Sequence, residues 1–450
     1  MRIEELIIKR LSEKGFEVFL VGGAVRDQLL GLTPKDIDFA TNAKPEEIIK
    51  LFPDRKISTV GKSFKVVFVE DIQIATYRKD EQRTFFNAKH CEPVYADSIQ
   101  EDLGRRDLTM NAMAINVVTN EFIDIYNGVN DLHNRVIRLV GDPLKRLQED
   151  PNRIIRACRF LAKFEGIFAK DTLAALTECS VFVKRYIEVE RIQHEILEAM
   201  KVKTPSIFFS ALQTIGALKY IFPAMADCFE HIGGEHHKET VGEHIMLTGD
   251  IISPRFPVLR LAGFLHDIGK PKAFNREKDG SFKAHEAYGA DMASAYLKHL
   301  KFSNTVTKEV VGLIDSHMRV CRGLTPKGIR RLKKHLSDSE VNPRSFLRLK
   351  IADRSANMSR SRSEIQPIKE LIVNAGIRAV EAPVLTLKDL AISGGDLIND
   401  FNLSPGPVVG KLHKTLLEFI VDEGEEFNDY NILKTKAALI LSGNDPIYTI

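Results

Sequence analysis

The sequence predicts an α+β protein, with a mixed α/β head at the N-terminus and an all-helical remainder. Residues 1 to 145 mix short β-rich runs, FEVFLV, KDIDFA, FKVVFV, IQIATY and NAMAINV, with helical segments. After Asp150 the apolar residues take up helical spacing and keep it, as Ile155, Cys158 and Ala162 do on one side of a helix. No internal repeat, heptad run or low-complexity tract interrupts the pattern. At 450 residues the chain has length for two to four domains. Punctuation in the sequence suggests divisions at 1–145 (head), 146–230 (helical neck), 231–360 (a histidine-rich domain) and 361–450 (helical tail).

Composition narrows the class. Apolar content of 44% and charged content of 28% are those of a globular domain. No run of about 18 apolar residues occurs, so no membrane association is expected. The opening MRIEELIIKRLSEKG alternates charged and apolar residues without the apolar core of a secretory signal, which leads us to expect a cytoplasmic location. Five cysteines, Cys91, Cys158, Cys179, Cys228 and Cys321, are widely spaced and form no Cys-x-x-Cys pair; they are expected to be reduced and structural. Net charge is only +3, but Arg319 to Arg362 holds 13 Lys and Arg against three acids, a local basic surface suited to phosphates.

The first element with chemistry in it is LVGGAVRDQLLGLTPKDIDFAT, residues 20–41. An apolar strand runs into Gly22 and Gly23, whose lack of a side chain lets the backbone approach a ligand, and then into a short helix whose N-terminal amides favour an anion. If KDIDFA is one strand, Asp36 and Asp38 share a face while Ile37 and Phe39 pack behind them. Two carboxylates about 6 to 7 Å apart suit a pair of hard divalent cations, and Mg²⁺ commonly keeps phosphates in its shell. The segment reads as a nucleoside triphosphate held against two metals.

EDLGRRDLTMNAMA, residues 101–114, places Arg105, Arg106 and Asp107 ahead of an apolar run. Were a helix to begin there, Asp107 and Asn111 would share a face, and the group would suit a triphosphate and a ribose hydroxyl. In EDPNRIIRACRF, residues 149–160, Asp150 and Arg153 stand three apart. A carboxylate and a guanidinium side by side can pair with a nucleobase edge, or Asp150 can simply cap a helix with Pro151 in its first turn.

Taken in order, VGGAVRDQLLG with DID, RRDLTMNAMA, IYNGVNDL, EDPNRIIRACRF and ERIQHEI resemble the successive motifs of the class II tRNA nucleotidyltransferases, a family that includes bacterial poly(A) polymerases. The resemblance covers roughly residues 16 to 200. It implies a nucleotidyltransferase head in which Asp36 and Asp38 hold catalytic Mg²⁺, and nucleotide contacts at Gly22, Gly23, Arg26, Arg106, Asp107, Asn111, Arg156 and Arg159. It also implies base selection by Asp150 and Arg153. At the position where the family often has a third carboxylate this chain has Gln73.

The histidine-rich section carries a second constellation: His244, then His266 and Asp267 in GFLHDIGK, then His285, His317 and Asp353. An adjacent His-Asp with a His before it and an Asp after it resembles the HD-domain phosphohydrolases. The resemblance implies metal ligation by His244, His266, Asp267 and Asp353, with His285 and His317 available to a second ion; a divalent transition metal or Mg²⁺ would serve. A metal-activated water would then attack a phosphate ester. PKGIRRLKKHL, with Arg330, Arg331, Lys333 and Lys334, fits an RNA-binding surface.

The expected function is addition of CCA, or part of it, to tRNA 3′ ends from CTP and ATP by two-metal transfer, with an HD phosphodiesterase or phosphatase activity, in a monomer or homodimer. Two alternatives stay open: a poly(A) polymerase, or an HD phosphohydrolase with an inactive RNA-binding head. VGKSFKVVFV lacks the paired basic residues before Phe64 associated with poly(A) enzymes, which tilts the reading toward tRNA.

Overall fold

The computed structural model describes residues 2–34, 36–60, 66–79, 94–231, 239–276, 281–319, 325–358, 366, 370 and 386–449; Phe64, Cys91 and Cys321 lie outside the described residues. The chain forms two compact units, Met1–Pro223 and Ala224–Ile450.

The first unit is built on a seven-stranded mixed sheet. Its strands are β1 (Phe19–Val21), β2 (Asp38–Thr41), β3 (Ile57–Val60), β4 (Val66–Val69) and β5 (Ile72–Thr76), followed, past a separate two-strand ladder of β6 (Arg78–Lys79) and β7 (Val94–Tyr95), by β8 (Ala114–Asn116) and β9 (Phe122–Ile123). The order across the sheet is β3-β4-β5-β2-β1-β8-β9. β1 lies near the middle and all three of its residues are buried, whereas β3 at one edge leaves Ser58, Thr59 and Val60 exposed. Helices α1 (Ile3–Ser12), α2 (Gly23–Leu29) and α3 (Pro45–Leu51) flank these strands, and Leu6, Ile7, Leu11, Ile48 and Phe52 are buried.

Two readings of the head change. KDIDFA is not all strand: β2 begins at Asp38, and Asp36 sits exposed in a bend before it. The ladder between β1 and β2 pairs Phe19 with Ala40 and Leu20 with Phe39, so pairing runs out where β1 gives way to the Gly22 turn. Phe39 is buried as expected, but Ile37 is only half-buried. The segment after Arg106 likewise forms no α-helix. α4 (Ile99–Gly104) ends before it, Leu108 bridges to Leu139, and only a single 3₁₀ turn, Thr109–Asn111, follows. Asp107 caps its own successor, accepting from Leu108 N at 2.8 Å, a local bond that competes with a helix start.

The rest of this unit is helical apart from a short parallel pair of β10 (Val136–Ile137) and β11 (Ile167–Phe168): α5 (Gly128–His133), α6 (Pro143–Glu149), α7 (Arg153–Phe164), α8 (Lys170–Glu178), α9 (Phe182–Tyr186), α10 (Val189–Ala199), α11 (Ser206–Thr214) and α12 (Leu218–Ile221). Asp150 does not cap a helix starting at Pro151. It is the extended joint between α6 and α7, and α7 begins at Arg153. α7 packs on α10 and α11 through buried Ile154, Ile155, Ala157, Cys158 and Leu161, the stripe that its spacing predicts.

The second unit contains α13 (Pro223–Cys228), α14 (Val241–Ile251), α15 (Pro257–Leu265), α16 (Lys270–Arg276), α17 (His285–His299), α18 (Asn304–Ser316), α19 (Pro326–Asp338) and α20 (Pro343–Ala356). α14 packs on α15 and α20, and α18 on α15 and α17, bringing the histidine-bearing elements together. After residue 386 come α21 (Gly394–Phe401), α22 (Pro407–Glu423) and α23 (Tyr430–Leu441), around Ile392, Leu397, Leu412, Leu416, Ile420 and Leu433. Cys158, Cys179 and Cys228 are free and buried. Among the described residues no helix is long and apolar enough to cross a membrane.

Candidate active sites

In the first unit the glycine turn is shaped by steric necessity. Gly22 has φ +66°, and a Cβ there would stand 2.8 Å from Arg106 Nη1. Only glycine allows both the left-handed turn and the approach of that guanidinium. Beside the turn, Asp38 lies in register with Gln73 on the neighbouring parallel strand β5. Burial raises the Asp38 pKa and the charge of Asp36 adds to the rise, while Arg106 opposes it. Such a carboxylate gains from a cation. Carboxylate and amide oxygens are hard donors of the kind that suit a divalent cation.

Arg106 is steered by Asp102, a carboxylate only 2% exposed. Asp102 Oδ2 accepts from Arg106 Nη2 at 3.2 Å, and Oδ1 accepts from Arg105 Nε at 3.0 Å and from the Arg78 amide at 3.1 Å. Burial would raise the Asp102 pKa, but Arg105 and Arg106 outweigh it and hold the group below its ordinary value. Arg106 Nε is buried without a hydrogen-bond partner among the described residues.

A polar chain leads from the turn to α7 and α10. Arg26 Nη1 donates to Asn111 Oδ1 at 2.6 Å, and Asn111 Nδ2 donates to Asp107 Oδ1 at 3.1 Å. Asp107 Oδ2 accepts from Arg156 Nε and Nη2 at 2.9 and 2.7 Å, and Arg156 Nη1 reaches Glu195 Oε1 at 3.4 Å. Arg159 Nε donates to the other Glu195 oxygen. The Arg26 guanidinium also lies 5.6 Å from the ring centres of Phe160 and Phe164. Asp107 is half-buried, and although desolvation would raise its pKa, Arg156 and Asn111 hold it well below the carboxylate range. The structure thus joins Arg26, Asp107, Asn111, Arg156 and Arg159.

Asp150 and Arg153 take different partners. Arg153 is buried and donates to Arg146 O at 2.8 Å, Glu149 Oε2 at 3.1 Å and Arg105 O at 2.6 Å. Asp150 receives both Nη groups of Arg191 at 2.8 Å each. Reasoning from sequence assigned no role to Asp102, Arg191 or Glu195. The last two belong to ERIQHEI, where an Arg and a Glu four apart on a helix were the available signal.

In the second unit Asp267 is a hub. Its Oδ1 lies 3.2 Å from His285 Nε2 and 3.4 Å from His317 Nε2; its Oδ2 lies 3.3 Å from His266 Nε2, 3.8 Å from His244 Nε2 and 2.7 Å from Lys270 Nζ. Asp353 Oδ1 stands 3.2 Å from His244 Nε2. Nδ1 of His266, His285 and His317 faces the carbonyl of Gly263, Phe282 and Ile314 at 2.9, 2.7 and 2.6 Å. Those carbonyls place a proton on Nδ1, so that in the neutral imidazole it is Nε2 that presents its lone pair toward Asp267. His285 Nε2 and His317 Nε2 are 3.2 Å apart; with both rings neutral and protonated on Nδ1 two lone pairs would face each other, and a cation would relieve that repulsion. His244, His266 and Asp267 form one group, and Asp267, His285 and His317 another, each with ligand atoms within 4.8 Å of one another. Imidazole and carboxylate donors fit a divalent metal in both.

Close helix approach builds this cluster. A Cβ on Gly269 would stand 2.0 Å from His285 O, so glycine after His-Asp is what lets α17 reach Asp267. Burial would lower the His266 pKa, but Asp267 raises it, whereas burial lowers that of His317. Lys270 was legible only as the Lys of HDIGK.

The four basic residues assigned to RNA are placed on α19. Arg330 donates from Nε and Nη2 to the carbonyls of Val421 and Asp422 at 2.8 and 2.9 Å, closing the end of α22. Arg331 forks onto the Asp422 carboxylate, although its side chain stays 59% exposed. Lys334 pairs with Asp338 at 3.0 Å, and Lys333 is half-buried.

Three families match successive segments: "Poly A polymerase head domain" at residues 18–138, "Probable RNA and SrmB- binding site of polymerase A" at 167–229, and "HD domain" at 236–358. Poly(A) polymerase I of Haemophilus influenzae is 30% identical over 298 residues, which is 63% of this chain and 65% of that enzyme. The CCA-adding enzyme of Streptococcus gordonii is 26% identical over 94% of this chain and 93% of its own length. The Bacillus stearothermophilus CCA-adding enzyme, solved in complex with CTP, shares the fold with a TM-score of 0.69 at 24% identity, over 98% of this chain and 100% of that one. Both domain types imply dependence on divalent metal. In succession the chain thus matches a poly(A) polymerase head, an RNA-binding segment of the same enzymes and an HD domain, and its relatives and structural neighbours include CCA-adding enzymes.

Proposed function

We propose that this protein is a tRNA nucleotidyltransferase that adds CCA, or part of it, to tRNA 3′ ends from CTP and ATP. The observation that carries the reading is the alignment with a CCA-adding enzyme over 94% of this chain and 93% of that enzyme, set against 65% of poly(A) polymerase I. In this reading Asp36 and Asp38 would hold Mg²⁺, which would supply charge neutralisation at the α-phosphate and lower the pKa of the 3′-hydroxyl. The protein's own groups position the substrate. The Gly22–Gly23 turn receives the triphosphate, Arg106 and Arg26 neutralise it, and Asp107 with Asn111 meets the ribose. Asp150 and Arg153 read the base, and reading by Arg153 requires it to leave Glu149 or share its donors. The division into head 1–145, neck 146–230, HD domain 231–360 and tail 361–450, the last with α19 contributing RNA contacts, belongs to the same proposal. So do a cytoplasmic location and a monomeric or homodimeric state.

The HD cluster supports a second activity, hydrolysis of 2′,3′-cyclic or terminal phosphates. Its donors would hold one or two divalent ions, of a transition metal or magnesium, which would supply an activated water for attack on the phosphate ester.

The test is a tRNA lacking its 3′ end, incubated with CTP, ATP and both, and read on a sequencing gel. CCA completion supports the proposal. Growth that stops after two C residues despite ATP overturns full CCA addition, and long A tails on unrelated RNA assign the poly(A) activity that the 30% identity to poly(A) polymerase I favours. No incorporation by the wild-type protein, with phosphate-ester hydrolysis retained, would indicate a hydrolase with an inactive head.

A further inference from the structure

The carboxylate of Asp150 is almost fully subscribed. An ionised carboxylate offers about four in-plane lone pairs, two on each oxygen. Arg191 takes one on each, Nη1 to Oδ1 and Nη2 to Oδ2, both at 2.8 Å. The amide of Asn152 takes a second on Oδ1 at 3.2 Å. Among the described residues nothing takes the remaining lone pair, on Oδ2. The group is not sealed off, since the Asp150 side chain is 33% exposed and that of Arg191 is 48% exposed.

A two-point fork does what a single contact cannot. It fixes the plane of the carboxylate as well as its position, because rotation about the Cβ–Cγ bond would break one of the two bonds. The remaining acceptor therefore points in one direction. Cytosine and adenine each carry an exocyclic amino group, a donor, where uracil and guanine carry a carbonyl oxygen. A single fixed acceptor takes the amino group of the first two and sets lone pair against lone pair with the others. A carboxylate free to rotate could swing aside and relieve that repulsion.

Resting on the proposal that Asp150 reads the incoming base, we infer that Arg191 is a positioning residue for base choice. It orients Asp150 so that one acceptor faces the base, and it thereby sets the preference for CTP and ATP over UTP and GTP. Arg191 comes from α10, 41 positions along the chain from Asp150, so its contribution is invisible until the chain folds.

Steady-state incorporation of each of the four nucleotides onto a tRNA primer, by the full-length protein, tests the inference. Arg191→Lys keeps the charge but offers one contact point. It should lower kcat/KM for CTP and ATP about tenfold, mainly through KM, and raise UTP and GTP incorporation relative to CTP by about tenfold, a factor of ten corresponding to one well-made polar contact. A merely structural role would depress all four nucleotides in proportion. Arg191→Gln provides a second variant should the lysine form fold poorly, with thermal melting as the check. Asp150→Ala separates the two levels of the argument. If it loses discrimination while both Arg191 variants keep the wild-type ratio, Asp150 reads the base and the inference about Arg191 is overturned. If Asp150→Ala itself keeps the wild-type ratio, base reading by Asp150 fails and the inference falls with it.

Discussion

Asp38 and Gln73 are direct neighbours in the parallel pairing of β2 with β5, so the amide of Gln73 stands beside the more buried member of the aspartate pair. If that pair holds the catalytic metal, Asp38→Ala should reduce nucleotide addition by about a thousandfold, the scale of losing a principal electrostatic contributor. Gln73→Glu should add a hard ligand and lower the half-saturating Mg²⁺ concentration several-fold in a titration of activity. Unchanged Mg²⁺ dependence in both variants would refute the metal assignment.

The raised pKa of Asp38 predicts a pH dependence with a definite sign. The folded, metal-free protein holds this proton to a higher pH than the unfolded chain does. This group's contribution to stability therefore falls as pH rises from the ordinary carboxylate value through the raised one. Metal binding requires the ionised form. The half-saturating Mg²⁺ concentration should therefore fall as pH increases, and Asp38→Asn should abolish that part of the slope. A pH-independent Mg²⁺ requirement would contradict this.

Glu195 is 2% exposed and receives Arg156 and Arg159 from α7. Removing a buried carboxylate leaves its partners uncompensated. Glu195→Ala should cost about 3 kcal/mol, near the low end for a buried pair because Arg156 keeps solvent access. That corresponds to a Tm lowered by about 6 to 12 °C for a unit of this size, measurable by calorimetry. Arg156 would also lose one of the two carboxylates that orient it, so KM for nucleotide should rise.

Gly22→Ala introduces a methyl group 2.8 Å from Arg106 Nη1 at φ +66°. Both strain and displacement of the guanidinium should follow. We expect kcat/KM for nucleotide to fall at least tenfold while far-ultraviolet circular dichroism keeps its shape. Full activity would mean that Arg106 is not held against the turn for function.

For the HD cluster, Asp267→Asn should reduce bound metal in both ligand groups, because this carboxylate serves each. His266→Ala should spare the group of Asp267, His285 and His317. Elemental analysis after metal loading distinguishes the two variants, and nucleotide addition should be unchanged in both. Chelation should lower the Tm of the wild-type protein, since ligands that bind only the folded state stabilise it.

Much of the architecture was legible because it follows from local pattern. The stripe on α7 and the His-Asp pair at the end of α15 could be read from spacing, and the motif order of the first 200 residues pointed to the family. Local pattern also misled. Alternation in KDIDFA looks like a strand through Asp36, but a strand lasts only as long as its partner, and β1 ends at Val21. The Asp107–Asn111 contact came out as expected, although a bend and a 3₁₀ turn make it in place of an α-helix.

By itself the sequence determined which chemical groups the protein possesses and in what local conformation most of them sit, since propensity and periodicity act over a few residues. Tertiary structure alone decided which groups meet. Asp150 meets Arg191 across 41 positions and Asp107 meets Arg156 across 49, while Asp353 meets His244 across 109. Arg330 and Arg331, expected on an RNA-binding surface, also meet the end of α22 across 91 positions. Such pairings depend on long-range packing of helices and strands. Burial then makes each pairing consequential, because an ionised group removed from water must find an opposite charge, a hydrogen bond or a metal.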